Sequence, residues 1–141
     1  DLVTMNWWND LWLNESFASW MGDKAVDAIH PEWDMWTQFL TADTASAFSL
    51  DGLSNSHPIE QEVNNPAEIG QLFDAISYSK GGSILRMLED FIGPLDFQKG
   101  IRTYLTDHSY ENAETQDLWN ALEVSSGKPV ILLILNWTPY W

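Results

Sequence analysis

A chain of 141 residues with 21 Asp and Glu against 6 Lys and Arg, for a formal charge of -15, has the length of about one domain. Its 45% apolar content, 13% aromatic content and nine tryptophans supply far more side chain to bury than a disordered acidic chain carries. The six cations are scattered from Lys24 to Lys128, which excludes a nucleic-acid or polybasic membrane surface, and the absence of cysteine excludes disulfides, thiolate metal sites and cysteine catalysis.

The first residues, DLVTMNWWNDLWLNE, are dense in aromatics and carry no basic-then-apolar leader, so the chain is expected to begin inside a domain. From Leu11 to Ile29 the segment lacks proline and has helical spacing, with Asp10 or Asn9 as N-cap and His30-Pro31 as the stop. Pro31 suits the first turn of a second helix, along which Trp33, Trp36, Phe39, Leu40 and Ala47 recur up to about Leu50. Asp51 to Glu68 is turn-rich, with one short extended piece expected at Pro58 to Val63. Loops of this length in compact domains are often functional or cover something. A third helix, about Ser79 to Ile92, places Ile84, Met87, Leu88, Phe91 and Ile92 on one face and stops at Gly93. Phe97, Ile101, Tyr104, Leu105 and His108 repeat the pattern, and Leu118, Trp119 and Leu122 mark a further helix ending near Gly127. The last segment, KPVILLILNWTPYW, is apolar on every side and needs a buried environment or a partner segment. No run reaches the roughly 18 consecutive apolar residues of a membrane helix.

Glu15 is the most informative single residue. Its neighbours three and four positions away are Trp12, Leu11, Ala18 and Ser19, so its face is expected to be buried. A buried carboxylate needs an ion pair, hydrogen bonds or a metal, and Lys24 is the one cation within ten residues. On periodicity alone a structural salt bridge or a helix edge outweighs a ligand. His30, His57 and His108 lack the spacing of two ligands on one helical turn and read as caps and turns. Lys80-Gly81-Gly82 lacks the rest of a phosphate-loop pattern.

The run VTMNWWNDLWLNESFASW resembles the segment that follows the His-Glu-x-x-His helix of the gluzincin aminopeptidases, the family of aminopeptidase N and puromycin-sensitive aminopeptidase. HPEWDMWTQFL, NSHPIE, FDAISYSKGGSILRMLEDFIG and DLWNALEVSSGKPV follow in family order, so the resemblance runs from Asp1 to about Val130. It implies an all-α, mostly helical C-terminal part of a thermolysin-like metallopeptidase catalytic domain. Residues 1–141 then form a partial catalytic domain beginning just after the expected zinc-binding motif, with 130–141 as a divergent tail. In that family two histidines and a glutamate hold one Zn2+ and leave a fourth position for water. The glutamate matches Glu15. The two histidines, and the Gly-x-Met-Glu-Asn motif that binds the substrate's free amino terminus, are expected upstream of Asp1.

The same resemblance makes Tyr78 the donor to the oxyanion of the tetrahedral intermediate. Asn14 and Asp10 flank the ligand as hydrogen-bond candidates, with helix capping or plain solvation as equal alternatives. Ser16 stands where the family usually has glycine, beside the proposed ligand, where it either crowds the site or adds a hydrogen bond. Gly82 replaces a small residue such as alanine. The implied partners are peptides with a free N terminus and the rest of the parent polypeptide; the implied compartment is the cytoplasm, with the ectodomain of an anchored parent as the alternative. The fragment alone is expected to be inactive. The competing reading is a non-catalytic helical interaction module that kept the scaffold.

Overall fold

The computed structural model describes residues 2–137, leaving out the side chains of Asn136 and Trp137. The chain is mostly helical, with one two-stranded parallel ladder. That ladder pairs β1 (Thr4–Met5) with β2 (Asn112–Ala113), Thr4 opposite Asn112 and Met5 opposite Ala113. Two-residue strands carry no alternation that a sequence reading detects.

α1 spans Leu11–Ile29, as its spacing predicts, and follows a 3-10 turn at Trp8–Asp10. The Asp10 side chain does not cap it. Its carboxylate instead accepts from the backbone N–H (3.2 Å) and hydroxyl (2.5 Å) of Thr115, joining the start of α1 to the start of α6 (Thr115–Ser126). His30 closes α1, and Pro31 begins only a separate 3-10 turn at Pro31–Trp33. Asp34, in the left-handed conformation at φ 50°, then redirects the chain into the second helix. That helix runs as α2 (Met35–Phe39), a π-helical turn (Leu40–Thr44) and α3 (Ala45–Asp51). Trp33 is therefore outside it, exposed and stacked on His30 with ring centroids 4.3 Å apart.

No strand forms at Pro58 to Val63. The segment is held by side chains instead. Val63 packs with Leu11 and Leu72 in a small apolar cluster, and the Trp7 indole N–H donates to the Val63 carbonyl (3.2 Å). A 3-10 helix at Pro66–Leu72 leads into a π-helical turn at Ile76–Lys80, which continues directly as α4 (Gly81–Ile92). The predicted third helix therefore starts three residues earlier than its periodicity suggests. Gly93, at φ 99° and ψ 142°, separates α4 from α5 (Pro94–Asp107) in a backbone region that only glycine enters cheaply.

The main core gathers Trp12, Leu13 and Trp20 of α1, Ile84, Leu85, Leu88 and Ile92 of α4, Phe97, Ile101 and Tyr104 of α5, and Leu118, Trp119 and Leu122 of α6. Trp12 meets Trp119 at 5.9 Å and Trp20 meets Phe97 edge-on at 5.4 Å. Each fully buried Leu or Phe here contributes about 1.5–3 kcal/mol by leaving water. Residues 130–137 form α7 (Val130–Trp137). Val130 and Ile134 are buried in the core while Leu132 and Leu135 stay exposed, so the apolar-all-round segment buries one side only. Among the described residues no helix is long and apolar enough to cross a membrane.

Candidate active site

α1 sets the position of Glu15. The stripe Trp12, Ser16 and Trp20 faces α4 and is buried, whereas Ala18 and Ser19 are exposed. Glu15 thus lies at the edge of the buried stripe, half-buried, rather than inside a wholly buried face. Lys24 does not pair with it. Its ammonium reaches Glu89 on α4 at 2.5 Å, two turns farther along α1, and sits over the Trp20 ring.

Tyr78 lies in the π-helical turn, where the Lys80 N–H reaches five residues back to the Ala75 carbonyl (2.9 Å). Single π turns of this kind recur at functional sites because the extra residue re-aims a side chain. Here Ile76, Ser77, Ser79 and Lys80 are buried and Tyr78 is only half-buried. The Tyr78 phenol is pushed above its usual range, first by burial and then by the neighbouring Glu15 carboxylate. The phenol therefore stays a neutral donor beside the carboxylate across the physiological range.

The fold brings Glu15 and Tyr78 together and leaves Asp10 elsewhere, bonded to Thr115 and Asn9. The Asn14 amide donates to Glu15 Oε1 at 3.5 Å, the long limit of such a bond. Ser16 neither crowds the pair nor adds a hydrogen bond. It is fully buried with its hydroxyl unpartnered, facing Gly81 across the α1–α4 contact.

Three further side chains hold the turn that carries Tyr78. Asp74 accepts from the N–H groups of Ile76 (2.9 Å) and Ser77 (3.1 Å), the two residues before Tyr78. Ser79 donates to Asp43 (3.1 Å), and the buried Lys80 ammonium lies 2.6 Å from Asp51 at the end of α3. His57, read from sequence as a turn residue, places Nε2 2.8 Å from Asp74 and Nδ1 2.7 Å from the Pro58 carbonyl. The block FDAISYSK carried a signal for the first of these, an Asp just ahead of a helix start. Nothing in the spacing pairs it with His57.

As a metal donor Glu15 fits one place in a ligand set, since a half-buried carboxylate suits Zn2+. Among the described residues no group of three His, Cys, Asp or Glu side chains converges to hold a metal ion.

The sequence that sets this carboxylate near this phenol matches the Peptidase family M1 domain over residues 1–137. The chain belongs to peptidase family M1. It is similar to Tricorn protease-interacting factor F2 of Thermoplasma volcanium, at 56% identity over 137 residues, 97% of this chain and 18% of that protein. Aminopeptidase M1 of Arabidopsis thaliana is 54% identical over 138 residues, 98% of this chain and 16% of that protein. Probable aminopeptidase 2 of Sulfurisphaera tokodaii is 53% identical over 137 residues, 97% of this chain and 18% of that protein. The chain spans less than a fifth of the length of these curated relatives.

Proposed function

We propose that this chain is part of the catalytic domain of a zinc aminopeptidase that removes single residues from peptide N termini, with Glu15 as one metal ligand and Tyr78 as the transition-state donor. The observation that carries the reading is the packing of the turn that bears Tyr78 against α1, with the phenol near the Glu15 carboxylate, in a family M1 chain. Zinc, when bound, supplies Lewis-acid polarisation of the scissile carbonyl and of water. The chain's own residues do the rest. The Glu15 carboxylate brings one negative donor to the ion and offsets part of its charge. The phenol of Tyr78, kept protonated by burial and by Glu15, donates to negative charge as it develops on the carbonyl oxygen. Because that charge exists mainly in the transition state, the donor raises turnover more than substrate affinity.

Two histidines from outside residues 1–141 complete the ligand set in this reading, and the chain alone holds neither zinc tightly nor activity. Asn14 orients the Glu15 carboxylate, whereas Asp10 supports the junction of α1 with α6. The substrates are peptides with a free N terminus. A cytoplasmic parent of the puromycin-sensitive type is favoured by the resemblance. The test is zinc stoichiometry beside steady-state kinetics of the full-length protein on an aminoacyl reporter. One zinc per chain with turnover lost in Glu15→Ala supports the reading. A metal-free, inactive full-length protein makes the chain a helical interaction module instead.

A further inference from the structure

We propose that Asp74 and His57 are positioning residues that hold Tyr78 at the angle its role requires; this rests on the reading of Tyr78 as the transition-state donor. The turn that carries Tyr78 is not a regular helix, so its backbone is not set by the ordinary ladder alone. One oxygen of Asp74 collects the N–H groups of Ile76 and Ser77 at 2.9 and 3.1 Å, which sets the backbone directly ahead of Tyr78. The other accepts from His57 Nε2 at 2.8 Å, tying that backbone to the segment between α3 and the Pro66–Leu72 helix. His57 Nδ1 faces the Pro58 carbonyl at 2.7 Å, so both ring nitrogens sit within hydrogen-bond distance of an oxygen and the ring is held from both sides. Both side chains of the pair are about three-quarters shielded from solvent, at 24% exposure each.

Of the three acidic side chains on this turn, Asp43 and Asp51 hold the side chains of Ser79 and Lys80, after Tyr78. Asp74 alone holds main-chain groups, and those are the groups that set where the Tyr78 Cα points. A catalytic donor is useful only within about 0.5 Å of its productive place, and a misplacement of about 1 Å costs on the order of a hundredfold in rate. The pair therefore acts through Tyr78 and touches no substrate.

The experiment uses the full-length protein, with kcat, KM and zinc content measured for single and double variants. Asp74→Ala is expected to lower kcat by about ten- to a hundredfold with KM within about twofold and zinc content unchanged. Asp74→Asn, which keeps an oxygen for the two N–H groups, recovers most of the turnover. His57→Gln, milder for folding, gives a smaller loss. Each loss vanishes in the Tyr78→Phe background, because a misplaced hydroxyl and a missing one cost the same step once. Normal turnover in Asp74→Ala and His57→Gln, or losses that add to that of Tyr78→Phe, or losses that follow zinc content, overturn the proposal. If Tyr78→Phe turns over normally, the functional reading itself falls; if Tyr78→Phe is impaired while the Asp74 and His57 variants are not, only the positioning role falls.

Discussion

Gly81 at the start of α4 faces Ser16 of α1 so closely that a Cβ at Gly81 would lie 2.7 Å from the Ser16 Cβ and 2.8 Å from its hydroxyl oxygen. Trp12 closes the same contact at 2.9 Å. The two helices meet where one side chain is absent and the other small, and the residues on either side, Glu15 and the Tyr78 turn, are brought together by that approach. Gly81→Ala forces the helices apart and is expected to cost about 1–3 kcal/mol, read as a lowered denaturant midpoint. Ser16→Gly in the same chain restores part of the loss, since Trp12 remains. Ser16→Ala does not, because it keeps the Cβ. An unchanged midpoint in Gly81→Ala would refute the close contact.

Ser16→Ala by itself has the opposite sign. The serine hydroxyl is buried without a partner, so removing it relieves a desolvation cost of about 1–3 kcal/mol. The variant is expected to be as stable as the parent chain or more so in equilibrium denaturation, and a clear loss would show that the hydroxyl is satisfied.

Gly93 carries φ 99° between α4 and α5. A Cβ there meets nothing within 4 Å, so the penalty for Gly93→Ala is one of backbone strain rather than collision. About 1–3 kcal/mol is expected, again as a lowered midpoint, and Gly93→Asn should be milder because asparagine tolerates positive φ better.

Tyr104 is expected to weaken the fold at alkaline pH. Tyr104 is buried on α5 with its hydroxyl unpartnered, and burial, followed by the charges of Asp117 and Asp10, pushes its pKa up to about 12. The folded chain therefore keeps this proton up to about pH 12, whereas the unfolded chain releases it near the ordinary value of 10.0. Stability is unaffected by Tyr104 below that ordinary value and falls as pH rises between the two. Tyr104→Phe should flatten this limb in denaturation curves taken across the alkaline range; an equally steep limb would assign it elsewhere. The raised Tyr78 phenol adds a loss of the same sign.

In the full-length protein Glu15→Ala and Tyr78→Phe should fail differently. Loss of Glu15 removes a charged ligand, so zinc content and activity fall together. Tyr78→Phe removes one hydroxyl, so zinc stays bound and kcat falls by about two to three orders of magnitude with KM little changed. Near-normal turnover in Tyr78→Phe would remove the role given to that residue.

The extent of α1, the stops at His30, Gly93 and Gly127, and the core stripes of α5 and α6 are legible in the chain itself, and that of α4 in Ile84, Leu88 and Ile92, whereas Met87 and Phe91 of the expected stripe are exposed. Each rests on local rules, the helical repeat of apolar residues and the special geometry of proline and glycine, which act within a few residues. Glu15 and Tyr78 are legible as candidates through the blocks LNESFASW and ISYSKGG. What only the tertiary structure decided is which polar groups meet. Asp10 reads locally as a cap but serves Thr115 on a distant helix, Lys24 is the one cation near Glu15 in sequence but takes Glu89, and His57 reads as a turn residue but clasps Asp74. Hydrogen bonds and ion pairs act over a few ångströms and are blind to separation along the chain. Their partners are therefore chosen by helix packing, here by the contact of Ser16 with Gly81, and spacing along the sequence carries no record of that choice.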